Sequence, residues 1–195
     1  MDAAMDSAGS CSKKLMSTQA GLKLYENCGF VAVGEIGQTQ GEVTIETPVA
    51  AAEGVRIRPA SRDDLPVLVD LDAQAFGAIR KNLISAILGD GNGVVALRDG
   101  KPAGFALIRG SGLGQTIGPV VATDEELGIA LVSQLLAEES GFIRLDVDLT
   151  ATKFMAWLET TGLKCIDTVT IMVKPRMPAN AKPPYTYGLI SQAFG

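Results

Sequence analysis

Few side chains in this sequence of 195 residues can do chemistry, and their types narrow what that chemistry is. Histidine is absent, and Cys11, Cys28 and Cys165 lack metal-ligand spacing, so neither a zinc site nor a Ser/His or Cys/His pair can be assembled. Free cysteines of this kind are small buried or surface residues, and a reducing cytosol suits them. Phenolic hydroxyls, which can donate a proton at neutral pH, stand at Tyr25, Tyr185 and Tyr187. Carboxylates able to accept a proton include Asp72 and Glu159, both in helical stretches where a solvated face is their ordinary role. A further acidic group, Asp124-Glu125-Glu126, follows an apolar run. There Thr123 and Glu126 read as a capping box, with Asp124 and Glu125 favouring the positive end of a helix.

Composition excludes some partners. A formal net charge of −5 and the lack of any Lys/Arg run argue against nucleic acid, whose binding needs a basic footprint. With 47% hydrophobic and 20% charged residues the chain can bury a sizeable core. No apolar run is long enough for a signal peptide or a membrane span, so a cytoplasmic protein without a membrane partner is expected.

The elements that must position these groups follow from periodicity. Ala20 to Asn27 has helical spacing, ends at Gly29 and leads into an alternating strand from Phe30 to Ile36. Gln38 to Glu42 is turn-like, Val43 to Thr47 reads as another strand, and Thr47 to Gly54 has a linker's small residues. From Val55 the pattern is fuller. A short strand precedes Ser61 and Asp64, a capping-box start for a helix using Leu65, Leu68, Leu71 and Ala75. A second helix spans about Ala78 to Leu88, and Val94 to Leu97 with Ala103 to Ile108 flank a DG-type hairpin turn. Thr116 to Ala122 reads as a central strand feeding a helix through Leu127, Leu131 and Leu135. Then come a strand at Phe142 to Val147, a helix at Thr152 to Thr161, and strands at Cys165 to Val173 and Tyr185 to Ser191. Gly110 to Gly114 joins two strands and reads as a hairpin tip, and Phe154 with Trp157 reads as core packing.

One internal echo organises the chain: LYENCGF at Leu24 to Phe30 returns as WLETTGL at Trp157 to Leu163. The copies imply one and a half modules. Residues 1–14 are expected as a disordered tail, 15–47 as the C-terminal remnant of one module, 48–54 as a linker and 55–195 as a complete domain.

The opening VRIRPASRDDLPVLVDLDAQAF, the hairpin VVALRDGKPAGFAL, the unit TIGPVVATDEELGIALVSQLL and the LYENCGF repeat together resemble the GNAT superfamily of acyl-CoA-dependent N-acetyltransferases. More narrowly, the chain is similar to the second domain of a bacterial tandem GNAT protein with a truncated first domain. The resemblance implies an α/β (α+β) fold: a mixed, mostly antiparallel central sheet with helices on both faces. It implies that Val120, Val121 and Ala122 lend backbone groups to the pantetheine arm of acetyl-CoA. The turn at Thr123 would then face the pyrophosphate, with Gly128 the one glycine left of the family's phosphate loop and Thr152 or Thr150 near CoA. The family's general-acid tyrosine maps onto Tyr25 in the partial module and onto Leu158 in the complete domain. Tyr185 and Tyr187 in the last strand are the alternatives for substrate contact or proton donation, and Asp72 and Glu159 are the candidate bases. The expected function is acetyl-CoA-dependent N-acetylation of a small amine. The alternative is a catalytically silent scaffold or dimerisation domain. Leu22, Leu24, Phe30, Val31, Val33 and Ile36 require a covering surface, given either by extension of the complete domain's sheet or by a homodimer partner.

Overall fold

A computed structural model describes residues 9, 11–43, 47–174 and 182–194. Nine strands form one sheet. In chain order they are β1 (Lys13–Ser17), β2 (Val31–Glu42), β3 (Val55–Pro59), β4 (Asn92–Arg98), β5 (Lys101–Ser111), β6 (Gly114–Ala122), β7 (Phe142–Asp148), β8 (Lys164–Lys174) and β9 (Tyr185–Gly188). The five α-helices are α1 (Leu22–Asn27), α2 (Leu65–Phe76), α3 (Lys81–Asp90), α4 (Glu125–Glu138) and α5 (Thr152–Thr160). Strand order across the sheet is β1-β8-β2-β7-β9-β6-β5-β4-β3, and every pairing is antiparallel except β6 with β7. Among the described residues no helix is long and apolar enough to cross a membrane.

The pleat sorts the apolar side chains onto two faces. Ala106, Ile108, Val120 and Ala122 join Leu127, Leu131 and Leu135 of α4 and Phe154 and Leu158 of α5. Their alternates Phe105, Leu107 and Val121 pack against Leu68 and Leu71 of α2 and Ile84 and Ile87 of α3. Residues 116–122 of β6 are buried throughout, which is why this strand reads as a continuous apolar run. The turn between β4 and β5 has φ of 51° at Asp99 and 76° at Gly100, the paired left-handed residues that a two-residue DG hairpin needs.

The N-terminal strands belong to this sheet. β2 lies between β7 and β8 and is paired along both edges, so it extends the sheet; Phe30 and Ile36 are buried, whereas Leu24, Val31 and Val33, expected to be covered, remain exposed. Gln38 to Glu42 is therefore strand and not turn. Pairing on both sides overrides the polar composition, with Thr39 fully buried and its Oγ1 donating to the Leu145 carbonyl at 2.7 Å. β1 begins at Lys13, inside the tail expected to be disordered. The strand expected at Val43 to Thr47 falls largely on residues 44–46, and much of the tail on residues 1–8, which lie outside the described residues. The Ser61 and Asp64 capping box forms as expected, with Arg58 gripping the Asp64 carboxylate at 2.7 and 2.8 Å. The second cap is shifted by one residue from that expected. Asp124, not Thr123, receives the Leu127 N–H at 2.9 Å, while Glu126 pairs with Lys153.

Candidate active site

The site is made by two parallel strands that part. β6 and β7 pair only from Gln115 to Ile117 and from Ile143 to Leu145; beyond that they diverge, and β9 enters the gap. β9 pairs with Val120, Val121 and Ala122 on one side and with Val147 on the other. β5 already pairs with the opposite edge of the same three β6 residues. The chain beyond β9 is pinned by backbone contacts. Leu189 N–H donates to the Asp146 carbonyl at 2.8 Å, Arg109 reaches the Ile190 carbonyl at 2.6 Å, and Arg80 reaches the Phe194 carbonyl at 2.8 Å.

Beside β9 opens a cleft of about 1020 Å³, whose polar lining includes Lys14, Glu125, Asp148, Thr150, Tyr185 and Tyr187. Glu125 and Asp148 both flank the start of α5. Glu125 Oε2 accepts the Phe154 N–H at 3.0 Å, and Asp148 Oδ1 accepts from the Thr150 N–H at 2.9 Å and its hydroxyl at 2.7 Å. Tyr187 stacks on Phe154 with centroids 6.1 Å apart and meets Tyr185 edge-on at 6.3 Å. Burial, reinforced by the Glu125 and Asp124 carboxylates, pushes the Tyr187 hydroxyl up to about 12, so it holds its proton at neutral pH.

The cleft thus gathers Tyr185, Tyr187 and Thr150 and leaves the other candidates elsewhere. Tyr25 packs edge-on against Phe30 at 6.0 Å on α1 and does not line the cleft. Gly128 faces aromatic rings, since a Cβ there would lie 3.4 Å from both Phe154 and Tyr187. Thr123 is tied by its N–H to the Ala103 carbonyl and by its hydroxyl to Asp124 and Arg98. Thr152 is exposed at the first position of α5. Asp72 is wholly buried, held by Arg80 at 2.6 and 2.9 Å, and does not line the cleft. Glu159 does not line the cleft either. Asp148, Lys14 and Phe76 line it without having been singled out, and Glu125, read from sequence as a helix-start carboxylate, lines it too; for Asp148 the Asp-x-Thr turn before a helix was the available signal.

The arrangement does not fit acetyl-CoA as it stands. The β6 edge that would accept the amides of a pantetheine arm is occupied by β9. The N-terminus of α4 does not fit a diphosphate, because Asp124 takes the Leu127 N–H and Glu125 and Glu126 add like charge. Burial acts against ionisation of Asp124, but the bonds from Arg98, the Leu127 N–H and Thr123 outweigh it and hold the carboxyl below its usual range.

A family model described as "Acetyltransferase (GNAT) domain" matches residues 68–188. The chain is 25% identical over 184 residues to the Uncharacterized N-acetyltransferase YitH of Bacillus subtilis (strain 168), covering 93% of this chain and 64% of that protein. It superposes with a TM-score of 0.63 and 17% identity on a Putative Acetyltransferase from Pyrococcus horikoshii, covering 94% of this chain and 60% of the other. A GCN5-related N-Acetyltransferase from Sphaerobacter thermophilus gives the same TM-score at 16% identity, with 86% and 61% covered. The chain therefore spans less than two thirds of the length of each of these relatives.

Proposed function

Because this chain belongs to the GNAT acetyltransferase family, we propose that it transfers an acetyl group from acetyl-CoA to a small amine in the cleft beside β9. The observation that carries the reading is the coincidence of two features. The cleft lies beside β9, the strand that enters the gap between the two parallel strands, and two carboxylates and two phenols line it. Acetyl-CoA would supply the activated acyl group, with β9 occupying the β6 edge along Val120 to Ala122 in this structure.

The chain's own residues do the rest. Glu125 and Asp148 make no ion pair among the described residues, so their charge draws a protonated amine into the cleft. An amine becomes nucleophilic only on losing that proton, and Glu125, whose Oε1 makes no hydrogen bond among the described residues, takes it up. Tyr187 keeps its proton and donates, and the Tyr185 hydroxyl beside it orients polar groups at the β9 side. The apolar wall of Ile36, Ile171, Val173 and Leu189 limits access of water.

The test is incubation with acetyl-CoA and a panel of small amines, following free thiol and the mass of the product. Amine-dependent thiol release with an acetylated product is expected. Thiol release no faster than background hydrolysis across the panel would overturn the reading and leave the domain as a scaffold.

A further inference from the structure

The cleft is lined by charged groups of both signs and by apolar side chains. Glu125 and Asp148 lie beside the start of α5. Phe76 of α2 is covered by cations: the Arg80 guanidinium at 3.6 Å from the ring centroid and the Lys14 ammonium at 5.4 Å. The two cations are not equivalent. Arg80 is neutralised by the buried Asp72 carboxylate, which it grips at 2.6 and 2.9 Å. Lys14, whose side chain from β1 lines the cleft, pairs with no carboxylate among the described residues. Ile36, Ile171 and Val173 line the space that these groups share.

We propose that the acceptor is an amine that also bears a carboxylate on an apolar body, and that Lys14 selects it by pairing with that carboxylate. This rests on the reading of the cleft as the acceptor site. The charges match in kind: the substrate ammonium meets Glu125 and Asp148, and its carboxylate meets Lys14, which pairs with no carboxylate among the described residues. The alkyl portion then covers the apolar wall, and a carboxylate entering such a wall needs a cation to offset its lost hydration. The packing around Lys14 and the positive charge of Arg80 lower its proton affinity, with Asp148 acting the other way, so an arriving anion relieves an unfavourable charge.

The probes are a matched panel of ω-amino acids from 4-aminobutanoate to 8-aminooctanoate and the corresponding alkylamines, titrated by calorimetry into the full chain and into Lys14→Met and Lys14→Arg. A charge-assisted contact of this kind predicts that the best amino acid binds about tenfold or more tighter than its alkylamine. Lys14→Met should remove that preference without changing alkylamine binding, and Lys14→Arg should restore part of it. Equal affinities within each pair, an equal effect of Lys14→Met on both series, or no binding by any member would overturn the proposal. Because binding is read without turnover, this result is separable from the acetyl-transfer test: discrimination without acetylation would sink the proposed activity and leave the Lys14 site standing.

Discussion

Gly188 lies opposite Val120 in the antiparallel pairing of β9 with β6, and a Cβ on Gly188 would come within 2.9 Å of both Val120 Cγ2 and Leu145 Cδ1. No side chain fits at that point, so the hydrogen bonds that close the gap between β6 and β7 depend on a residue without one. Gly118 does the same on the next turn of the path. A Cβ there would stand within 2 Å of the Leu189 carbonyl oxygen, 1.9 Å away. These two glycines let β9 and the chain after it lie along the edge that the family uses for its cofactor's arm.

Gly188→Val should loosen β9. Overpacking of this kind costs about 1 to 3 kcal/mol, visible as a lower denaturant midpoint. If β9 and acetyl-CoA compete for the β6 edge, the same variant binds acetyl-CoA more tightly in a calorimetric titration. Weaker or unchanged binding alongside the stability loss would show that they do not compete.

Asp72 is a stability residue and not a base. Removing one partner of a buried ion pair costs about 3 to 5 kcal/mol, so Asp72→Asn should lower the unfolding free energy by that order. The pH dependence of acetyl transfer by the folded fraction should stay as in the native chain. Loss of the acid limb of that profile would return Asp72 to the list of bases.

Tyr187 makes stability fall on the alkaline side. Its hydroxyl is raised to about 12 in the fold, against roughly 10 in an unfolded chain. Both states are neutral below pH 10, and above it the unfolded state ionises first. Its contribution is therefore complete below about pH 10 and is lost as pH rises toward 12. Tyr187→Phe should flatten the fall of stability between those values, measured by urea unfolding at stepped pH, and an unchanged slope would contradict the assignment.

Asp124 acts at the acid side. Asp124→Ala removes the α4 cap and should cost about 1 kcal/mol, whereas Asp124→Asn keeps an acceptor and should cost less. Since its carboxyl is held below the usual range, the stability that ionised Asp124 adds is present above the unfolded value of roughly 3.9 and is lost as pH falls through the folded one. Equal losses for both variants at neutral pH would place the effect in the Arg98 pair instead of the cap.

Much of the fold is legible because local signals agree with it. The apolar run of β6, the leucine spacing of α4 and the Asp99-Gly100 turn each point to the element that forms. β2 is legible only in its first half. Gln38 to Glu42 look like a turn because their strand character comes from β7 and β8, which lie more than a hundred residues away in sequence. The site shows the same division. Tyr185 and Tyr187 stand out by residue type, but Tyr25, which shares it, packs against Phe30 and does not line the cleft. Glu125 is masked as one of three carboxylates at a helix start, and Lys14 as part of a polar tail. Only the docking of β1 against β8 places Lys14 at the cleft.

Use of acetyl-CoA is tested by calorimetric titration of the full chain with acetyl-CoA, with CoA and dephospho-CoA as comparisons. The account predicts saturable heat with a dissociation constant in the micromolar range, about −8 kcal/mol. The absence of heat at millimolar acetyl-CoA, in the native chain and in Gly188→Val alike, would contradict it.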